Sequence, residues 1–269
     1  MKNFVMGDVH GCLPAFKAAL ADIKPGKNRH LYILGDVIDR GDGQWDILDI
    51  IMENREYITL IIGNHEAAFI SCEQAAESGD TEAFLFWRSY WKEGGGEDTM
   101  VQAFGEWTPE RRHRYTDFLR TCPPECMVKE NMRWNYLVHS APADTLIGKI
   151  NDRELSVYAA SSGEDEIFRM KDGLYSVEPG FFTEQEKAAA AASGGTVNPS
   201  VWFGHTPVEY IEKGAVYAWH RGRFCGIDCG CAGYSRKGLL CTAELGTGKE
   251  RYYRTDGARV LRGNSRGKE

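Results

Sequence analysis

Five apolar runs in this chain each break off into residues able to hold a metal ion. Val5-Met6 leads into Gly7-Asp8-Val9-His10-Gly11, Ile33-Leu34 into Gly35-Asp36, and Ile61-Ile62 into Gly63-Asn64-His65-Glu66. Leu137-Val138 leads into His139, and Trp202-Phe203 into Gly204-His205. Runs of this kind read as buried strands. Strands packed side by side bring their ends to one edge, so residues from Asp8 to His205 converge there. A single strand-end histidine is ordinarily a structural residue satisfied by hydrogen bonds. Four of the chain's seven histidines fall at such ends, and that coincidence outweighs the structural explanation.

The first third of the chain alternates strand and helix. Residues 3–6, 30–34 and 57–62 are β-type runs, and apolar residues at helical spacing (Leu13, Phe16, Ala19, Leu20, Ile23; then Trp45, Leu48, Ile51, Met52) lie between them. That order predicts βαβ units and largely parallel strands. The middle predicts helices over 66–76 and 81–92 and one from Thr108-Pro109 to about Arg120. Phe84, Trp87, Tyr90 and Trp91 form an aromatic stripe that reads as core packing, ended by Gly94-Gly95-Gly96. Short strands at 135–138, 200–203, 215–219, 224–227 and 239–245 predict a second, more antiparallel sheet. A surface helix is expected over 183–192. The division expected is one catalytic domain over 1–255 and a polar tail over 256–269.

A net charge of -7 argues against a nucleic-acid backbone as the partner. No apolar stretch approaches the length of a membrane span, and the first motif begins too early to leave room for a signal peptide, so a cytoplasmic location is expected. The eight cysteines lack the paired spacing of a zinc ribbon and read as reduced structural thiols. Cys12 is not set in a phosphate-binding cysteine loop.

The mixed carboxylate, imidazole and amide donors suit manganese, iron or zinc better than calcium or magnesium, and they suffice for two ions. A carboxylate bridging two such ions would help lower the pKa of a shared water toward neutrality, and Asp36 is the natural bridge. Asp39 and Arg40 complete a dense cluster at Gly35-Asp36-Val37-Ile38-Asp39-Arg40-Gly41.

These motifs resemble those of the metal-dependent phosphoprotein phosphatases within the calcineurin-like metallophosphoesterases, which read GDxHG, GDxxDRG, GNHE, a later strand-end His, and GH. The likeness extends from residue 1 to about 245. It implies an α/β fold in which two mixed β-sheets pack as a central sandwich flanked by helices. It implies a first metal on Asp8, His10 and Asp36, and a second on Asp36, Asn64, His139 and His205. Arg40 would clamp the phosphate, with Asn64 also facing substrate, and His65 would act as general acid oriented by Asp39. A second phosphate-binding arginine is expected, with Arg169 the candidate and Arg153 the alternative. Glycines 94–96 with Glu97-Asp98-Thr99 resemble a loop near the site of bacterial and phage members.

The activity so implied is phosphomonoester hydrolysis on a phosphorylated protein, at serine or threonine and with tyrosine not separated from them, by direct attack of a metal-bridging hydroxide. The alternative is a dinucleoside polyphosphate hydrolase with the same metal centre. Relatives of that kind carry Asp after the Asn-His pair, where this chain has Glu66. A metal-binding scaffold without turnover is the reading from another class. The groove that selects substrate is expected in residues 70–130 and 143–198.

Overall fold

The computed structural model describes residues 1–140, 200–221, 224–232 and 238–261. Arg153, Arg169 and the helix expected over 183–192 lie outside the described residues.

Chain order begins β1 (Lys2–Met6), α1 (Leu13–Ile23), β2 (Arg29–Ile33), α2 (Gln44–Glu53) and β3 (Ile58–Leu60). Four helices follow: α3 (Asn64–Ser78), α4 (Thr81–Glu93), α5 (Glu97–Val101) and, after a π-helical turn over Gln102–Glu106, α6 (Pro109–Leu119). Their ends follow local chemistry. The Asp80 carboxylate accepts from the Ala83 N–H at 3.0 Å to open α4, and Pro109 occupies the first turn of α6, where its missing N–H costs nothing. A hairpin, β4 (Glu125–Glu130) and β5 (Arg133–Val138), completes the first half. The remainder supplies β6 (Ser200–Phe203), α7 (Val208–Ile211), β7 (Trp219–Arg221), β8 (Phe224–Gly226), β9 (Asp228–Cys229), β10 (Leu239–Glu244), β11 (Lys249–Arg254) and β12 (Arg259–Val260).

Two mixed sheets result, ordered β12-β11-β10-β1-β2-β3, with β9 also on β10, and β4-β5-β6-β8-β7. Period-2 alternation assigns the two faces of the first sheet. Phe4, Met6, Leu31, Ile33 and Leu240 join the helices in one core, while Val5, Leu239, Cys241 and Ala243 join Tyr136, Val201 and Phe203 of the second sheet in the other.

The second sheet, expected to be the more antiparallel one, is evenly mixed: β4-β5 and β7-β8 are antiparallel, β5-β6 and β6-β8 parallel. β10, with all six residues buried, belongs to the first sheet, pairing antiparallel with β1 where only a strand covered on both faces fits. In the second sheet β5, β6 and β8 are parallel, and the strand expected at 215–219 begins only at Trp219. Parallel strands end at the same edge, whereas hairpins would send alternate ends away from it. The tail expected from 256 also contributes β12, paired with β11.

Candidate active site

The strand ends reach the edge through backbone that ordinary residues avoid. His10, Asp36, Asp39, Arg40 and His205 all hold positive φ, between 44° and 70°. Each costs about 1–2 kcal/mol relative to a right-handed conformation, so the surrounding contacts must fix them. Glycine supplies room. A Cβ on Gly63 would lie 2.1 Å from Asp36 Oδ1, and one on Gly204 would lie 2.1 Å from Asp8 Oδ1. The carboxylates fill the space where those side chains would stand.

Asp8 accepts the His205 backbone N–H on both oxygens at 3.1 Å, which ties the first strand of one sheet to β6 of the other. Asp36 Oδ1 accepts the His65 N–H at 3.2 Å. Its Oδ2 lies 3.7 Å from His10 Nε2, 3.7 Å from His65 Nε2 and 3.3 Å from His139 Nε2. Asn64 Oδ1 is 3.0 Å from both His139 Nε2 and His205 Nδ1, and Asp8 Oδ2 is 4.0 Å from His10 Nε2. All seven strand-end residues predicted from sequence therefore meet.

The histidines are held in defined tautomers. His10 Nδ1 lies 2.9 Å from the Ile38 carbonyl and His139 Nδ1 lies 2.5 Å from the Leu34 carbonyl. A carbonyl only accepts, so each Nδ1 carries the proton and each Nε2 turns a lone pair toward Asp36. Burial, with Arg40 and His65 beside it, holds His10 well below the usual histidine range. Burial, with His139 beside it, pushes His205 down to about 3. For His65 burial works the other way from Asp36 and Asp39, and the two carboxylates prevail, raising its pKa. His139 is raised likewise, chiefly by Asp36 against burial.

His65 Nδ1 meets Asp39 Oδ2 at 2.5 Å, and the same oxygen accepts the Trp91 indole N–H at 2.6 Å. Gln44 Oε1 holds the Asp39 backbone N–H at 2.6 Å. Arg40 Nη1 lies 2.6 Å from His10 Nε2, and its Nη2 lies 3.2 Å from His65 Nε2 and donates to the Gly94 carbonyl at 3.3 Å. The guanidinium thus sits between the metal-type donors and the glycine triplet.

Three contributors escaped the sequence reading. Trp91 was assigned to core packing; it is buried, but its indole N–H serves Asp39. Glu66 accepts four backbone N–H groups, from Gly63, Asp36, Val37 and Ile38, at 2.8–3.2 Å. It is a brace for the 36–38 loop, fully buried, so its identity reports on that loop and not on contact with substrate. Asp228, the third, is buried beside Asp8, and burial pushes its carboxyl up to about 6. The strand-end rule would have found it, since β8 also runs out through Gly226-Ile227 into an acid.

This donor set fits divalent cations. His10, Asp36 and His65, and again Asp36, His139 and His205, each place ligand-type atoms within 4.8 Å of one another. Burial, together with Asp228 and Asp36, raises the Asp8 pKa, so negative charge in this protein-only site calls for a compensating cation. A third group, Glu73, Glu77 and His113, lies on α3 and α6, where Arg112 and Arg120 already neutralise its carboxylates.

Strands from two sheets that deliver buried carboxylates, imidazoles and an arginine to one edge define a metallophosphoesterase. The chain belongs to the calcineurin-like phosphoesterase family, whose model matches residues 1–209. A symmetrical bis(5'-nucleosyl)-tetraphosphatase from Enterobacter sp. (strain 638) is 35% identical over 68 residues, covering 24% of each chain. That segment spans about a quarter of the relative's length. Among solved structures, a protein serine/threonine phosphatase from Saccharomyces cerevisiae superposes with a TM-score of 0.56 at 12% identity over 92% of this chain and 73% of that one. A structure assigned as a diadenosine tetraphosphatase gives 0.54 at 14% identity over 97% and 95%. These likenesses concern the fold. Among the described residues no helix is long and apolar enough to cross a membrane.

Proposed function

We propose that the protein is a metal-dependent phosphoprotein phosphatase that hydrolyses phosphomonoesters without a covalent phosphoenzyme. The observation that carries this reading is the meeting of Asp36, the lone-pair histidines His10 and His139, His205, Arg40 and the Asp39-braced His65 at one edge. Asp8, His10 and Asp36 would hold one cation, and Asp36, Asn64, His139 and His205 a second. Bound manganese, or iron or zinc, would supply Lewis acidity and a water of lowered pKa.

The remaining steps fall to this chain's own side chains. Arg40 offers paired donors to the phosphoryl oxygens and stays charged throughout, and Asn64 faces the same space. His65 Nδ1–H is committed to Asp39, so its transferable proton would sit on Nε2 once Arg40, which faces that nitrogen at 3.2 Å, turns its donors to the phosphoryl oxygens. His65 therefore serves the leaving oxygen as general acid. Trp91 and Gln44 keep Asp39, and through it the imidazole, in place.

The complete GDxxDRG and GNHE patterns support the phosphatase reading. A second reading, a dinucleoside polyphosphate hydrolase, is favoured by the 68-residue likeness to bis(5'-nucleosyl)-tetraphosphatases. Turnover of p-nitrophenyl phosphate with added manganese is expected, and its absence from metal-loaded protein would leave only a metal-binding scaffold. His65→Asn should lower kcat by about 10² to 10³ while retaining the wild-type metal content. Loss of metal from that variant would mean that His65 is a ligand.

A further inference from the structure

We propose that the cavity beside His65 is the leaving-group subsite and that it selects an uncharged aryl group over an anionic one. The class of substrate is an aryl phosphate, with a phosphotyrosyl side chain as its protein form. This deepens the phosphatase reading and rests on it.

The cavity, of about 160 Å³, lies between the first turns of α3 and the last turns of α4. Asn64 and His65 form its floor, and Ala68, Tyr90, Trp91, Glu93 and Gly94 its walls. Gly94 stands against the Cε1–Nε2 edge of His65, the edge that carries the transferable proton. Arg40 occupies the other side, 3.2 Å from His65 Nε2. With Arg40 on the phosphoryl oxygens and Nε2 on the leaving oxygen, whatever that oxygen carries extends into this cavity.

Its walls are suited to a ring. Tyr90 is held edge-on by Trp87 at 5.9 Å between centroids, and Trp91 is fixed by its bond to Asp39. Ala68 leaves room on the α3 side. An aromatic leaving group would gain apolar burial and edge or offset ring contacts there.

The charge of the wall discriminates as well. Glu93 is its acid, bonded only weakly to Ser89 Oγ at 3.4 Å, and among the described lining residues there is no lysine or arginine. The nearby Lys92 pairs with Glu97 at 2.6 Å. Cleavage of a dinucleoside polyphosphate would direct a nucleotide phosphate, with its full negative charge, against Glu93. An aryl oxide, protonated by His65 as it leaves, carries none.

The test uses the full chain loaded with manganese. Phenylphosphonate and methylphosphonate, which are not hydrolysed, report the subsite by calorimetry independently of turnover. The wild type should bind the phenyl compound about tenfold more tightly, and Tyr90→Ala should abolish that preference. Equal binding of the two by the wild type would overturn the proposal. Tyr90→Leu, which keeps bulk, should also lose most of the preference; retention there with loss in Tyr90→Ala would mean a merely space-filling role and would overturn the aromatic argument.

In kinetics, p-nitrophenyl phosphate and a phosphotyrosyl peptide should exceed the matching phosphoseryl peptide and diadenosine tetraphosphate in kcat/KM. Glu93→Lys should raise the kcat/KM ratio of diadenosine tetraphosphate to phenyl phosphate, whose leaving group departs protonated, by about tenfold. A ratio unmoved by Glu93→Lys, or wild-type preference for the dinucleotide, would overturn the charge argument. Turnover of free aryl phosphates without the phosphotyrosyl peptide would overturn its protein form. Failure to hydrolyse any ester would sink the phosphatase reading instead, with the phosphonates still deciding the subsite.

Discussion

The strand-end edge and the helical layer α3 to α6 build one site by opposite means. At the edge, five functional residues sit in left-handed backbone, and two glycines give way to the carboxylates beside them. Position there is set by main chain, and the side chains have almost no freedom. In the helical layer the backbone is ordinary and position comes from packing: Trp91 on Phe69 at 5.3 Å, Phe84 on Phe104 at 5.2 Å. Hydrogen bonds couple the two regions: Trp91 to Asp39, Arg40 to the Gly94 carbonyl, and the first turn of α3, through His65 and Glu66, to the 36–39 loop. The contrast teaches that the metal-type donors cannot drift without unfolding the edge, whereas the wall facing substrate can be rebuilt on the same helices.

The largest effect expected from breaking the edge is that of Asp36→Ala. It removes the carboxylate shared by His10, His65 and His139, so both metal positions should empty by elemental analysis and kcat/KM should fall on the order of a thousandfold. Retention of two metals would show that Asp36 does not bridge. Next is Glu66→Ala, which strands four buried N–H groups of the edge. Thermal or urea unfolding of the metal-free protein should show a loss of ~3 kcal/mol, and an unchanged midpoint would refute its bracing role.

Trp91→Phe probes one link between the regions, the indole bond to Asp39. It keeps the packing and deletes the N–H, so kcat should drop about tenfold with KM nearly constant. The loss should be greater for a phosphoseryl peptide than for p-nitrophenyl phosphate, whose good leaving group needs little protonation. Equal loss on both would make Trp91 structural only. The smallest effect belongs to Phe86→Ser on the outer face of α4, where the ring is 61% exposed. Stability should change by no more than about 0.5 kcal/mol; a larger change in unfolding midpoint would mean that this face is covered.

The same contrast explains what could be read in advance. Strand-end residues announce themselves, because an apolar run followed by glycine and a metal-type donor is a pattern in one dimension. Asp8, His10, Asp36, Asn64, His65, His139 and His205 were visible on that basis, as were the helices and the parallel set β1, β2 and β3. The helical layer was legible as helix only. Periodicity placed Trp91 on an apolar stripe, but a stripe does not reveal that one ring nitrogen meets a carboxylate 52 positions earlier. Glu66 was visible as a letter in a motif, while its partners, four backbone amides, have no letters of their own. The direction of β5, β6 and β8 was missed because glycine-bearing turns suggest hairpins, and strand direction depends on crossovers that local sequence does not encode.

The pairing of β1 with β10 has a consequence for how the protein is made. β1 leaves the ribosome long before one of its two neighbours, which is complete only at residue 244, and Asp8 waits for the amide of His205. Throughout that interval a nascent chain holds a strand with the apolar run Phe4-Val5-Met6 and one unpaired side, the arrangement that invites association with other chains. Translation speed and chaperone supply should therefore set the yield of this protein more than the stability of its finished fold. Expression at low temperature with a holding chaperone should raise the soluble fraction, where added manganese, which can act only on completed chains, should not.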